Sequence, residues 1–353
     1  MQAREACTEG MNRPALRARL VAVASYLPQG QLTNEMLVRE FPDWTPEQIS
    51  DKTGIHSRHM AAAGEFTSDI AVKAAERLFA ERAGLLREDI DFIMLMTVSP
   101  DYLLPFTAGI IQSRLGIPTR AGALDSTLGC SGYVYGLGLA AALAESGRAK
   151  RILLLTGDRF TAYTEQGDRS VKALMGDAGT ASLIEAVDEE EAGRPGRGGL
   201  VGATDYGTDG SGAMNLVIRT SAMRGFLGNE RVQATQPTFE MNGPEVFNFT
   251  LGTIGKHLTG FLSDNGLTVD DVHLFIFHQA NVFMLQHLRR KLGIREDRFA
   301  IHMASVGNTS SSTIPLALDA ALRAGRIGPG SRIVLTGFGV GYSWGSVLVE
   351  YPG

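Results

Sequence analysis

The chain has 353 residues, with 33 Lys+Arg against 38 Asp+Glu, a net charge of −5 and 44% apolar residues. Those values supply a large buried core, exclude a disordered chain and argue against general nucleic-acid binding. Two cysteines, Cys7 and Cys130, argue against a disulfide framework or a multi-cysteine zinc site, while 42 glycines predict many tight turns and close backbone approaches.

Residues 1–15 read as a leader before the first strand. Glu5 and Glu9 interrupt its basic residues, and the short apolar stretch Leu20–Leu27 runs into Pro28, so no signal peptide is expected. No uncharged apolar run approaches the roughly 20 residues of a membrane helix. The default expectation is a soluble cytoplasmic protein.

Farther along, two stretches look alike. Ala83–Met96 (AGLLREDIDFIMLM) and Asn265–His278 (NGLTVDDVHLFIFH) share Gly-Leu, two residues, acidic residues and an apolar strand. Arg151–Gly157 (RILLLTG) and Arg332–Gly337 (RIVLTG) share a strand ending in Thr-Gly. Ile90 to Ile152 spans 62 residues and Val272 to Ile333 spans 61, so the chain carries a two-copy duplication. Between them, Asp188–Gly199 is almost entirely charged residues, Gly and Pro and predicts a solvated linker. The expected organisation is one α/β half over 16–187, a linker over 188–199 and a second half over 200–353. A helix lies between the repeated strands of each half. The first, Ser131–Ala144, has no charge and is expected to be buried on every side. The second follows Asn308, with Thr309–Ser312 as capping residues and Pro315 in its first turns.

The chemistry candidates sit at the ends of these elements. Cys130, in Leu128-Gly129-Cys130-Ser131-Gly132, opens the uncharged helix, where free N–H groups and the dipole favour a thiolate. A small core cysteine is the commoner fate. His278 ends a strand, where α/β proteins gather ligands, and begins His278-Gln279-Ala280-Asn281; alone it reads as a capping or core histidine. Asn308, in Gly307-Asn308-Thr309-Ser310-Ser311, alone reads as an N-cap. The duplication changes the odds, because Cys130 and Asn308 occupy corresponding places, each before the helix of its own half. Gly337-Phe338-Gly339-Val340-Gly341 follows the last repeated strand and can present backbone N–H groups to an oxyanion, or serve only as a turn before Ser343–Glu350. His56 and His59 lack a third metal ligand, Gly136 and Gly138 fit helix packing, and Asp177 fits a turn.

Taken together, the Cys130, His278, Asn308 and Gly337–Gly341 motifs resemble the 3-oxoacyl-[acyl-carrier-protein] synthase III family of the thiolase superfamily. Thr53-Gly54-Ile55, Asp168-Arg169, Met175-Gly176-Asp177-Ala178-Gly179, Met241-Asn242-Gly243 and Glu245-Val246-Phe247 fit the same pattern. The resemblance runs from about residue 16 to 353. It implies a thiolase-like fold, two like halves in alternating layers of helix and sheet, and a homodimer. It further implies that Cys130 takes an acyl group from a thioester of coenzyme A or a carrier protein, and that His278 and Asn308 stabilise the enolate of a decarboxylating malonyl thioester. The backbone N–H groups of Cys130 and Val340 would hold the oxyanion, and the product would be a 3-oxoacyl thioester. Arg169 matches a nucleotide-contacting arginine, Gly339 falls among the substrate-binding residues, and Phe106, with Leu103 and Leu104, falls at the acyl pocket. No metal or redox cofactor is implied, since thioesters are already activated.

Three departures stand out: Val340 where relatives usually have Gly, Gly129 where Ala is more usual, and Gln48 where relatives acting on coenzyme A often carry the adenine-stacking Trp. An acidic carrier protein would need a basic patch, for which Arg289-Arg290-Lys291 and Arg148, Lys150 and Arg151 are candidates. Competing functions are papain-like hydrolysis, which shares the Cys, His, Asn order but neither the local signature nor the repeat; acyl transfer from Cys130 to an oxygen or nitrogen nucleophile; and a non-catalytic partner subunit.

Overall fold

The structure, a computed structural model, describes residues 15–164, 168–219, 221–222 and 237–353. Cys7 and all but Ala15 of the expected leader lie outside the described residues. In chain order the strands are β1 (Arg17–Tyr26), β2 (Gly30–Thr33), β3 (Ser57–Met60), β4 (Phe92–Met96), β5 (Gly122–Ser126), β6 (Arg151–Asp158), β7 (Ala178–Val187), β8 (Gly199–Thr208), β9 (Leu216–Val217), β10 (Glu240–Met241), β11 (Leu274–Phe277), β12 (Phe299–Ala300), β13 (Arg332–Gly339) and β14 (Ser343–Glu350).

Ten strands form one sheet in the order β12-β11-β13-β14-β8-β1-β7-β6-β4-β5. Its two halves are joined only through Arg19↔Leu200 and Leu20↔Gly199. Each half repeats the other outward from that seam. The strand pair nearest the seam is antiparallel, as is the next (β1·β7·β6 and β8·β14·β13), and the outer pairs are parallel (β6·β4·β5 and β13·β11·β12). The repeated segments take equivalent places: Phe92 pairs with Ile152 in one half, and Leu274 with Ile333 in the other.

Alternation along the strands builds the layers. Ile152 and Leu154 of β6 join Ile333 and Leu335 of β13 in one core around the helices Gly132–Glu145 and Thr313–Arg323. Leu153 and Leu155 face outward to the helices Thr67–Glu81 and Thr107–Leu115, while Phe275, Phe277 and Val334 face outward to Gly243–Asp264 and Val282–Lys291. The result is helix, sheet, helix, sheet, helix, with the two helices that begin beside Cys130 and Asn308 in the central layer.

Three local expectations are corrected. The uncharged helix is not buried on all sides: Leu139 is 52% exposed and Tyr206 beside it 39%. Gly136 and Gly138 do serve packing, since methyl groups there would meet Leu154 Cδ1 at 2.7 Å and the Tyr206 hydroxyl at 1.7 Å. The helix Thr313–Arg323 has no side-chain cap; its N-cap residue Ser312 instead shares a hydrogen bond with Thr156 and donates to the Ala178 carbonyl. Within Asp188–Gly199, Asp188 caps a short helix, Glu189–Ala192, whose carbonyls accept from the buried Arg19 guanidinium. No helix among the described residues is long and apolar enough to cross a membrane.

Candidate active site

Cys130 sits two residues before the helix Gly132–Glu145, after β5. The end of β13 presses against it. A methyl group on Gly337 would lie 2.8 Å from Ser131 Cα, and one on Gly339 would lie 2.6 Å from Cys130 Cβ and 2.8 Å from its Sγ. Only glycine lets this strand end lie against the nucleophile. The backbone N–H of Val340 donates to the sulfur, and the Ser310 hydroxyl, without an oxygen or nitrogen partner, faces it. The thiol is nonetheless pushed up to about 11, first by burial and further by the buried Asp158 carboxyl. This corrects the expectation from helix position: desolvation outweighs the helix start, and the resting sulfur is a thiol.

His278 follows β11, buried to 3% exposure, with its backbone N–H on the Thr336 carbonyl. Its Nδ1 lies 2.7 Å from Thr313 Oγ1, and its ring meets Phe338 edge-on at 5.5 Å. Burial lowers its pKa to about 3, so the imidazole is neutral at physiological pH. Asn308 is not a helix cap. Its backbone N–H donates to the Leu174 carbonyl, and its carbonyl accepts from Gly176 N–H, so the loop is stitched to the Met175–Gly179 segment of the other half. A methyl on Gly176 would lie 2.4 Å from the Val306 carbonyl, and Gly307, at φ +73°, would clash with the Leu174 carbonyl. Ser310 N–H donates to Asn308 Oδ1 at 3.0 Å, which assigns Nδ2 as the donor end of the amide; Nδ2 donates to the Ala280 carbonyl at 3.5 Å and keeps a second hydrogen for the cavity.

Cys130, His278, Asn308, Gly339 and Val340 all line one cavity of about 770 Å³. The remaining walls are mostly apolar and come from both halves, among them Val98, Phe160 and Met175 from the first and Leu216, Phe239 and Val246 from the second. Phe160 and Phe239 meet edge-to-face at 4.8 Å. A thiol, a neutral imidazole and a carboxamide thus share one mostly apolar pocket, and among the described lining residues the one carboxylate is Asp101.

The family described as 3-oxoacyl-[acyl-carrier-protein] synthase III matches residues 124–210, and its C-terminal part matches residues 262–351. The chain is 35% identical over 341 residues to the beta-ketoacyl-[acyl-carrier-protein] synthase III of Campylobacter curvus, covering 96% of this chain and 98% of the relative. To that of Thiobacillus denitrificans it is 36% identical, covering 95% and 99%. A crystal structure of a 3-oxoacyl-(acyl-carrier-protein) synthase III superposes with a TM-score of 0.87 at 41% identity, covering 95% of this chain and all of the other. The chain belongs to the 3-oxoacyl-[acyl-carrier-protein] synthase III family. It is an enzyme of that type, with the thiolase-like fold.

Two residues singled out from the family pattern lie off the cavity wall of this synthase. Arg169 pairs with the Asp43 carboxylate, and its guanidinium lies 5.0 Å from the Trp44 ring centroid. Sequence counting places Gln48 at the aromatic position, and Gln48 instead completes a capping box with Thr45. Trp44, four residues earlier, stands over Arg169; no spacing rule could reveal a displaced aromatic. Phe106 is the N-cap residue of the helix Thr107–Leu115 and covers Gly109, while Tyr102 and Leu103 reach the cavity. Of the basic candidates, Arg151 is engaged by Asp89 and Glu185, and Arg289 and Lys291 donate to nearby carbonyls; Arg148, Lys150 and Arg290 are exposed. His56 is exposed and His59 bonds the Pro28 carbonyl. Asp177 does more than shape a turn, accepting from Ala61 N–H and from the Thr161 N–H and hydroxyl. Sequence reasoning missed Ser310 and Thr313 as neighbours of the site, although both lie within the quoted serine-rich run or just after it.

Proposed function

We propose that this synthase catalyses a decarboxylative Claisen condensation through an acyl-Cys130 intermediate, with acyl-coenzyme A or an acyl carrier as donor and a malonyl carrier thioester as extender. The single observation that carries the assignment is the convergence of Cys130, His278 and Asn308, from three different chain segments, on one apolar cavity. In the first stage the Cys130 sulfur attacks the donor carbonyl, the thioester bond to the donor breaks, and the thiol proton ends on the departing thiolate. In the second, malonyl thioester loses carbon dioxide, and its enolate oxygen accepts from Asn308 Nδ2 and His278 Nε2. The enolate carbon attacks the acyl-cysteine, and the Cys130 thiolate leaves and regains a proton. The N–H groups of Cys130 and Val340 are the oxyanion donors of both tetrahedral intermediates. Neutral donors suit an oxygen whose charge appears only in passing, and the burial that keeps His278 uncharged supports that role.

Trp44 and Arg169 are the nucleotide-contacting pair, Gly339 admits substrate beside the sulfur, and Tyr102 to Phe106 belong to the acyl-pocket rim. The chemistry needs no metal or redox cofactor. The working unit is a cytoplasmic homodimer that meets an acidic carrier protein through exposed basic residues such as Arg148, Lys150 and Arg290.

Incubation with acyl donor and ¹⁴C-carboxyl malonyl thioester tests the assignment. Release of labelled carbon dioxide with formation of 3-oxoacyl product is expected, and His278→Ala and Asn308→Ala should each lower it by about 10²-fold or more, as for loss of an oxyanion donor. Acyl transfer to an added alcohol or amine without carbon dioxide release would overturn it.

A further inference from the structure

We propose that Thr313 is a positioning residue whose hydroxyl donates to His278 Nδ1 and thereby holds the Nε2–H of the imidazole toward the enolate oxygen. The proposal rests on the condensing role of His278 given above and names the residue that makes it possible. A neutral imidazole carries one N–H, and which nitrogen bears it is set by the partner of the other. Among the described residues Nδ1 has one hydrogen-bond partner, Thr313 Oγ1 at 2.7 Å. A hydroxyl can donate or accept, so the pair must be resolved by what else the hydroxyl touches.

Thr313 Oγ1 lies 3.0 Å from the Ser310 carbonyl, the other acceptor within reach of its single proton. That carbonyl already accepts the Thr313 backbone N–H, whereas Nδ1 has no other donor. Directing the hydroxyl proton to Nδ1, the shorter contact, gives up the bond to a carbonyl that keeps the Thr313 backbone N–H, and it leaves the lone N–H at Nε2. The opposite choice aims an Nε2 lone pair at a developing oxyanion, which repels it.

The same few residues also orient the carboxamide. Ser310 is held at φ 53°, in the left-handed region that a non-glycine residue seldom adopts. In that conformation its N–H fixes Asn308 Oδ1 at 3.0 Å and its carbonyl receives the first turn of the Thr313 helix. One strained residue thus sets the donor direction of Asn308 and the placement of the hydroxyl that sets the donor direction of His278. Strain of this kind persists where the surroundings over-determine it, and it clusters at working sites.

The test combines a spectroscopic and a kinetic readout on the intact enzyme. ¹⁵N-histidine NMR of the wild type, with His278→Gln for assignment, is expected to show His278 as the Nε2–H tautomer. In Thr313→Val, of similar shape but without the hydroxyl, condensation of a preformed acyl-enzyme with malonyl thioester should slow at least 30-fold more than acylation of Cys130 does. Thr313→Ser should restore both the tautomer and the ratio to within about threefold. A wild-type Nδ1–H tautomer, or equal slowing of both stages in Thr313→Val, would overturn the proposal. Failure of the wild type to acylate would count against the condensing reading alone, and the tautomer signal would still decide the role of Thr313.

Discussion

At the residue scale, the nucleophile is governed by burial. A helix start favours a thiolate by a fraction of what desolvation costs it, and the Cys130 thiol is pushed up to about 11. The consequence is a sign that can be measured. Iodoacetamide reacts with thiolate only, so alkylation of Cys130 should accelerate about tenfold per pH unit from pH 7 to 9, with no plateau. A plateau near pH 8 would place the thiol at or below its ordinary range and contradict the burial account. The positions of Cys130, His278 and Asn308 were legible in the sequence because each stands at a fixed place relative to a recognisable strand or helix. Their electrostatic state was not legible, since it depends on enclosure by residues as distant as Asp158, Phe338 and Val340. Nor could spacing reveal Trp44 beside Arg169, where the segment before the helix Pro46–Thr53 delivers the ring.

At the element scale, the helices and strands of the duplicated segments were legible because apolar period and turn residues are local signals. β14 spans Ser343–Glu350 as expected, and β6 and β13 contain the two Thr-Gly strands. The uncharged helix misled for a physical reason: the absence of charge shows that a face avoids water, not which molecule covers it. Its exposed Leu139 and the loop bearing Leu103 (63% exposed), Leu104 (87%) and Phe106 (46%) lie on the half whose edge strand is β5, whereas Tyr206 lies on β8 of the other half. An unpaired edge strand beside exposed apolar side chains is a surface for a second copy. Each large side chain covered there contributes roughly 1.5–3 kcal/mol. Sedimentation equilibrium at micromolar concentration should therefore give a dimer, and Leu104→Asp with Phe106→Asp should shift it toward monomer with the secondary structure retained. A wild-type monomer at that concentration would remove this face as the dimer interface.

At the scale of the whole molecule, duplication is what makes the site. Two equivalent halves place two helix starts in one central layer, so the segment that ends in Cys130 in one copy ends in Asn308 in the other, and the strand end bearing His278 completes the set. The repeat spacing made the two halves legible, but not the seam at β1 and β8 where their strands join into one sheet, nor the cavity between them. Contacts of that kind link residues far apart in sequence and carry no local pattern. The central claim is that this shared cavity first stores an acyl group on Cys130 and then condenses it. Intact-mass measurement after incubation with a panel of acyl-coenzyme A and acyl-carrier thioesters, without extender, tests it most directly, with Cys130→Ala as control. A mass increase equal to one acyl group on the wild type alone, discharged as 3-oxoacyl product when malonyl thioester is added, is the predicted result. An adduct that persists with malonyl thioester and is lost only to an alcohol or amine, or an adduct of equal size on Cys130→Ala, would contradict it.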